Sequence, residues 1–170
     1  MKLMDVIREI HDFPKEGIVF KDITTLLKNG DAFREAIELM CDHYKDHQVD
    51  YIVGVEARGF IVGAPMALAM GKGFIPVRKP GKLPGDTILR SYDLEYGSNA
   101  VEIHSDAFEP GDKILIIDDL LATGGTVAAS AELIEELGGD IQGIGFLLEL
   151  SFLNGRDKLK GYDVFTLLKE

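Results

Sequence analysis

Two spacings of apolar residues alternate along the chain, and their order sets out its elements. Leu3, Met4, Val6, Ile7 and Ile10 recur at helical intervals and predict a short N-terminal helix, broken by the Pro- and Gly-containing run at 11–17. Residues 18–23 are short and apolar-rich, a strand or an extended loop. Asn29-Gly30-Asp31 resets the chain with Asp31 as a good N-cap, after which Phe33, Ala36, Ile37, Met40 and Tyr44 mark one helix face. From Tyr51 the rhythm becomes strand–helix–strand. A buried strand at 51–55 and a turn at 56–59 lead into a helix to about Met70, then a strand at 73–77 in which Pro76 implies an end or an irregularity. Residues 79–86 read as an exposed Pro- and Gly-rich loop, and alternating segments near 88–95 and 100–104 predict a hairpin. Lys113-Ile114-Leu115-Ile116-Ile117 is a strong buried strand and 118–126 a loop; the helix that follows runs to Leu137, where Gly138-Gly139 stops it. Residues 141–150 and 164–168 supply further strands.

Strands separated by helices predict an α/β fold: a mainly parallel twisted sheet flanked by helices, with ligands taken at the carboxyl ends of the strands. No internal repeat, low-complexity tract or linker interrupts the pattern, so residues 1–170 read as a single domain.

Composition narrows the setting. A chain of 170 residues buries a core without disulfides or structural metal, and its single cysteine, Cys41, forms neither an internal disulfide nor a cysteine-based zinc site. The simplest compartment is a reducing cytoplasm. The N-terminus turns acidic too early for a signal peptide, and the uncharged run at 59–71 is too short to span a bilayer. Eighteen cations against 29 acids leave a net charge of −11, which argues against nucleic acid as a partner. The distribution is uneven: residues 57–91 hold six cations (Arg58, Lys72, Arg78, Lys79, Lys82, Arg90) and one acid, Asp86. A basic middle in an acidic body fits a local site for a small polyanion such as a phosphate ester.

The chemistry concentrates at 114–126. An aliphatic strand ends in Asp118-Asp119, then Ala122-Thr123-Gly124-Gly125-Thr126 opens a helix. Backbone N–H groups, two glycines, two threonine hydroxyls and a helix start together make a phosphate cradle. The Gly-Lys-Ser/Thr ending of a Walker loop and the Gly-x-Gly-x-x-Gly spacing of a dinucleotide fingerprint are both absent. The two aspartates suit sugar hydroxyls, or a cation shared with the substrate. Glu56-Ala57-Arg58-Gly59 also joins a buried strand to a helix, and its N–H groups and Arg58 suit a second anion. The four histidines show no metal-ligand spacing with a third partner.

The run Ile-Leu-Ile-Ile-Asp-Asp-Leu-Leu-Ala-Thr-Gly-Gly-Thr at 114–126 resembles the phosphoribosyl pyrophosphate motif of the type I phosphoribosyltransferases across its full width. Residues 13–23, 54–60, and 78–84 continuing to 91–97 narrow the resemblance to the adenine-specific members. One departure is Lys21, where arginine is expected in many members: it matters little if the base is met by backbone and affects affinity if it is met by a guanidinium.

The resemblance implies a fold with an N-terminal base-binding hood (about residues 1–30) and a β-hairpin lid. The implied reaction is adenine plus 5-phosphoribosyl 1-pyrophosphate giving AMP plus pyrophosphate. The 5′-phosphate goes to Ala122, Thr123, Gly124, Gly125 and Thr126, and the ribose to Asp118 and Asp119. Pyrophosphate goes to Glu56, Ala57, Arg58, Arg78, Lys79 and Lys82, and the base to Val19, Phe20, Lys21 and Leu150. Glu95 is the implied acid/base group, near N7 of the purine. Magnesium arrives on the pyrophosphate substrate with no direct protein ligand, and a homodimer is implied because some of the cations reach a neighbouring subunit's site. Two rivals remain: a 6-oxopurine-specific relative, disfavoured by Leu94-Glu95-Tyr96-Gly97, and a phosphoribosyl pyrophosphate sensor without turnover, disfavoured by the missing basic face.

Overall fold

Alternating aliphatic positions dictate a sheet buried on both sides. A computed structural model describes residues 2–94 and 97–170. Strands β1 (Arg8–His11) and β2 (Val19–Asp22) are followed by helices α1 (Thr24–Lys28) and α2 (Gly30–Tyr44). Strand β3 (Tyr51–Val55), helix α3 (Arg58–Met70) and strand β4 (Gly73–Val77) come next. Then follow β5 (Thr87–Leu94), β6 (Gly97–His104), β7 (Lys113–Leu121), α4 (Gly125–Glu136), β8 (Asp140–Glu149) and β9 (Val164–Lys169). The central sheet has five strands in the order β4-β3-β7-β8-β9, every pairing parallel.

Period-two alternation sorts these strands onto two cores. Ile52, Leu115 and Ile117 pack with Leu26, Met40 and Met66 under α2 and α3. Val53, Ile114 and Ile116 face the other way, onto Val127, Ala131 and Ile134 of α4. Helices α3 and α4 therefore cover opposite faces, while both begin at the carboxyl edge of the sheet. Pro76 is accommodated because β4 is an edge strand, where a missing N–H costs no ladder bond. The α/β fold with a parallel sheet flanked by helices is as the sequence predicts.

Three local expectations are corrected. The predicted N-terminal helix is a single 3-10 turn at Leu3–Val6, and Ile10 belongs to β1, which pairs antiparallel with β2. The N-cap of α2 is Asn29, whose side chain accepts from the Ala32 N–H at 3.1 Å, not Asp31, which already lies in the first turn. The stretch expected to be a loop from Asp118 continues as strand to Leu121, because β8 is long enough to pair with it up to Glu149. Helix α1 and the 3-10 turns at Ser151–Leu153 and Gly155–Leu159 carry too few periodic apolar positions to be read from sequence.

The hairpin β5–β6 is joined to the sheet by backbone bonds between Arg78 and Glu102 (3.0 and 2.8 Å). The buried Glu102 carboxylate accepts from the N–H groups of Gly81 and Leu83, fixing the loop after β4. Among the described residues no helix is long and apolar enough to cross a membrane.

The N-terminal ribbon is held by Asp22. Its carboxylate accepts from Arg8 and from both the hydroxyl and the N–H of Thr24. Thr24 first and Arg8 second hold its pKa down at about 2. A depressed carboxylate contributes stability that is complete above its unfolded pKa and lost as pH falls through the folded value. Asp22→Ala is expected to lower stability by about 1–3 kcal/mol at pH 7. The deficit against the parent should persist down to about pH 4 and close toward pH 2, as read by urea unfolding across that range.

Candidate active site at the carboxyl edge

Strand β7 carries the acidic pair directly into the site. Asp119 is buried, and its Oδ2 lies 2.9 Å from Arg58 Nε at the start of α3. Asp118 Oδ1 accepts from the Asp119 N–H at 2.8 Å and lies against Gly59, where a Cβ would come within 2.8 Å of it. Burial, reinforced by the charge of Asp119, pushes the Asp118 carboxyl well above the usual carboxylate range.

The loop after β7 turns at Gly124, whose φ of +87° suits glycine, and passes into α4 at Gly125. Its back is covered by the 155–159 turn: a Cβ on Gly124 would lie 2.6 Å from the Gly155 carbonyl oxygen. Arg156, next in the chain, fixes that turn. Its Nε and Nη2 donate to the buried Glu149 carboxylate at 3.0–3.1 Å, and Nη1 donates to the Val164 carbonyl. Thr166 Oγ1 donates to the same carboxylate at 2.9 Å. Burial works to raise the pKa of Glu149, and Arg156 and Thr166 outweigh it, leaving a carboxyl below its ordinary value.

Glu56, at the end of β3, gathers the cations. Its carboxylate accepts from the Lys79 N–H at 2.7 Å and pairs with Lys82 Nζ at 3.0 Å. Arg78 Nε stands 3.4 Å away, an ion-pair separation without a formed hydrogen bond. Burial pushes the Glu56 pKa up, and the Lys79 N–H with Lys82 and Arg78 more than reverses it.

A cavity of about 390 Å³ joins these parts, lined by Glu56, Ala57, Arg58, Lys79, residues 118–127 and Phe146. Thus Glu56, Ala57, Arg58, Lys79, Asp118, Asp119 and all of Ala122–Thr126 meet in one place. Arg78 lines an adjoining cavity of about 240 Å³ under the hairpin, and Lys82 reaches the site through Glu56. Val19, Phe20, Lys21 and Leu150, expected at the base, do not line this cavity. Phe20 stands edge-on to Phe13 with ring centroids 5.1 Å apart, and Val19 is exposed. The Leu150 N–H donates to the Leu121 carbonyl at 3.0 Å, just past the acidic pair. Lys21 is paired with Glu9, and with Glu170 at 3.4 Å, so its ammonium is engaged and its side chain is only 10% exposed. Glu95 lies outside the described residues.

Sequence reasoning missed Tyr92, whose hydroxyl lies 2.8 Å from Thr126 Oγ1, and the Glu149–Arg156 clamp. Tyr92 reads as one more alternating strand residue, and Glu149 and Arg156 lie on different elements, so no periodicity of one element links them. His43 stacks on Phe165 with centroids 3.7 Å apart, a packing contact. Among the described residues no three His, Cys, Asp or Glu side chains group to hold a metal.

Residues 22–164 match the family described as phosphoribosyl transferase domain. A curated relative from Halothermothrix orenii, an adenine phosphoribosyltransferase, is 66% identical over the full length of both chains. The crystal structure of adenine phosphoribosyltransferase from Thermoanaerobacter pseudethanolicus superposes with a TM-score of 0.96 at 53% identity, covering 99% of this chain and 98% of that one. The Saccharomyces cerevisiae enzyme, complexed with an imino-altritol bisphosphate and adenine, gives 0.91 at 43% identity over 98% and 97% of the two chains. This chain belongs to the phosphoribosyl transferase family, and within it to the adenine phosphoribosyltransferases.

Proposed function

We propose that the cavity at the carboxyl edge clasps an activated pentose by both of its anionic ends. The chain is a purine-salvage glycosyltransferase: adenine and 5-phosphoribosyl 1-pyrophosphate give AMP and pyrophosphate. The bond from C1′ to the pyrophosphate oxygen breaks and a bond from C1′ to N9 forms, leaving positive charge on the sugar in between. The observation that carries the assignment is one cavity containing the glycine loop, the acidic pair and the cations around Glu56.

In this reading the N–H groups and hydroxyls of Ala122, Thr123, Gly124, Gly125 and Thr126 hold the 5′-phosphate at the start of α4. Asp118 and Asp119 hold the ribose hydroxyls, Asp119 oriented by Arg58 and Asp118 by the Asp119 N–H. Arg58, Arg78, Lys79 and Lys82 take the departing pyrophosphate, Ala57 adds backbone, and Glu56 keeps the cations in place. Val19, Phe20, Lys21 and Leu150 form the base wall, with Lys21 contributing its backbone because its ammonium is engaged elsewhere. Glu95 exchanges the proton that the purine gives up, and the hairpin excludes water from the activated sugar.

A magnesium ion carried by the pyrophosphate fits the hard-oxygen lining of the cavity, whose acids are Glu56, Asp118 and Asp119. Magnesium supplies charge neutralisation on the leaving group. A single domain, a homodimer and a cytoplasmic setting complete the reading, supported by the continuous motif order and the single free thiol of Cys41.

Three measurements test it. Pyrophosphate release from purified protein should occur with adenine and not with hypoxanthine or guanine; turnover of a 6-oxopurine, or none with adenine, refutes the substrate assignment. Asp118→Asn combined with Asp119→Asn should lower kcat/KM for phosphoribosyl pyrophosphate by about 100-fold or more, the loss of two hydrogen-bonding acids. Near-parent kinetics would remove the pair from sugar binding. Glu95→Gln should lower kcat by about 100-fold or more while leaving the affinity for phosphoribosyl pyrophosphate nearly intact. Unchanged turnover would take Glu95 out of the chemistry.

A further inference from the structure

We propose that Tyr92 is a positioning residue for the phosphate clasp: its hydroxyl fixes the direction in which Thr126 offers its proton, and so registers the hairpin to an occupied 5′-phosphate site. The proposal rests on the reading of 122–126 as that site.

Tyr92 lies in β5 opposite Asn99 of β6, and its hydroxyl is 2.8 Å from Thr126 Oγ1. The ring comes this close because residue 125 has no side chain: a Cβ there would sit 3.2 Å from Tyr92 Cδ2. Gly125 thus serves the hairpin as well as the loop. Two residues back on the same face of β5, Arg90 pairs with Glu132 at 3.6 Å and with Glu136 at 3.8 Å on α4. The strand is therefore laid along the helix whose first turn bears Thr126. Beneath it, the 240 Å³ cavity lined by Tyr92, Thr126, Arg78 and Lys79 connects this hydroxyl pair to the cation cluster.

Each hydroxyl has one proton. Without an anion, either member of the pair can donate to the other. Once Thr126 turns its proton toward a phosphate oxygen, its own oxygen can only accept from Tyr92. Phosphate occupancy then sets a single direction, Tyr92 to Thr126 to phosphate. In the sequence, Tyr92 stands three residues before Glu95, the proposed acid/base group.

Tyr92→Phe keeps the ring and removes the relay. It should raise KM for phosphoribosyl pyrophosphate about three- to tenfold, with KM for adenine within about twofold of the parent. Its melting temperature should stay within about 2 °C of the parent. In a Thr126→Ala background, itself impaired for phosphoribosyl pyrophosphate, Tyr92→Phe should add no further rise, because the relay is already cut. An unchanged KM in Tyr92→Phe overturns the proposal, as does a lowered melting temperature without a KM change, or effects of the two substitutions that simply multiply. If Thr126→Ala alone binds phosphoribosyl pyrophosphate like the parent, the phosphate-site reading fails and the relay falls with it. Impaired Thr126→Ala beside parent-like Tyr92→Phe sinks the relay alone.

Discussion

Backbone meets backbone behind the loop at 122–126, and the site depends on that contact. Gly124 and Gly155 leave no space for a carbon between them, and a side chain on Gly155 would also overlap the Ala122 carbonyl. The loop therefore takes its shape from the turn behind it, and charge fixes that turn. Arg156 is locked onto Glu149, which closes β8 and pairs in register with Leu121. Without Arg156 the buried Glu149 carboxylate would keep only the Thr166 hydroxyl and Lys169 at 3.7 Å, so the loop depends on the clamp behind it. The sheet thus reaches the phosphate loop by two routes, forward along β7 and backward through the end of β8.

The cations of the site are held by acids before any substrate arrives. Arg58 is 53% exposed, yet its Nε is aimed by the buried Asp119; Arg78, Lys82 and the Lys79 backbone converge on Glu56. This offsets the entropy that long side chains lose when they close on an anion, because the fold has already ordered them. It also explains how a chain with a net charge of −11 receives a polyanion. The surrounding negative charge is screened beyond a Debye length of about 8 Å at physiological salt, so the local cluster decides the last step of the approach.

The central sheet and the loop were legible because both leave local signatures. Val53 and Ile116 sit in short aliphatic runs of strand length, and the 122–126 segment concentrates small and hydroxylated residues where a strand meets a helix. What could not be read depends on partners distant in the chain. Ile10 fits a helical spacing and becomes a strand residue because residues 19–22 offer it a ladder. Asp118 reads as loop until β8 proves long enough to pair beyond it. Lys21 looks like a change at a base contact, but Glu9 and Glu170 engage its ammonium. Tyr92 and Arg156 act across tertiary contacts spanning 34 and 7 residues, each between two different elements that no periodicity within one element joins.

The strand order explains why groups of both signs gather along one gap. From β3 the chain moves through α3 to β4 on one side, and from β7 it moves through α4 to β8 on the other. The β3–β7 junction is therefore the switch point, where the connections leave in opposite directions and open a crevice. Helices α3 and α4 cover opposite faces of the sheet and start on either side of it, so two positive helix ends flank one gap. Asp118 and Asp119 lie between them on β7. The proposed ligand, with an anion at each end and a carbon gaining positive charge in the middle, is complementary to what lines the cavity: amides and hydroxyls, acids, and a guanidinium and an ammonium group. The topology sets that arrangement before any single side chain is chosen.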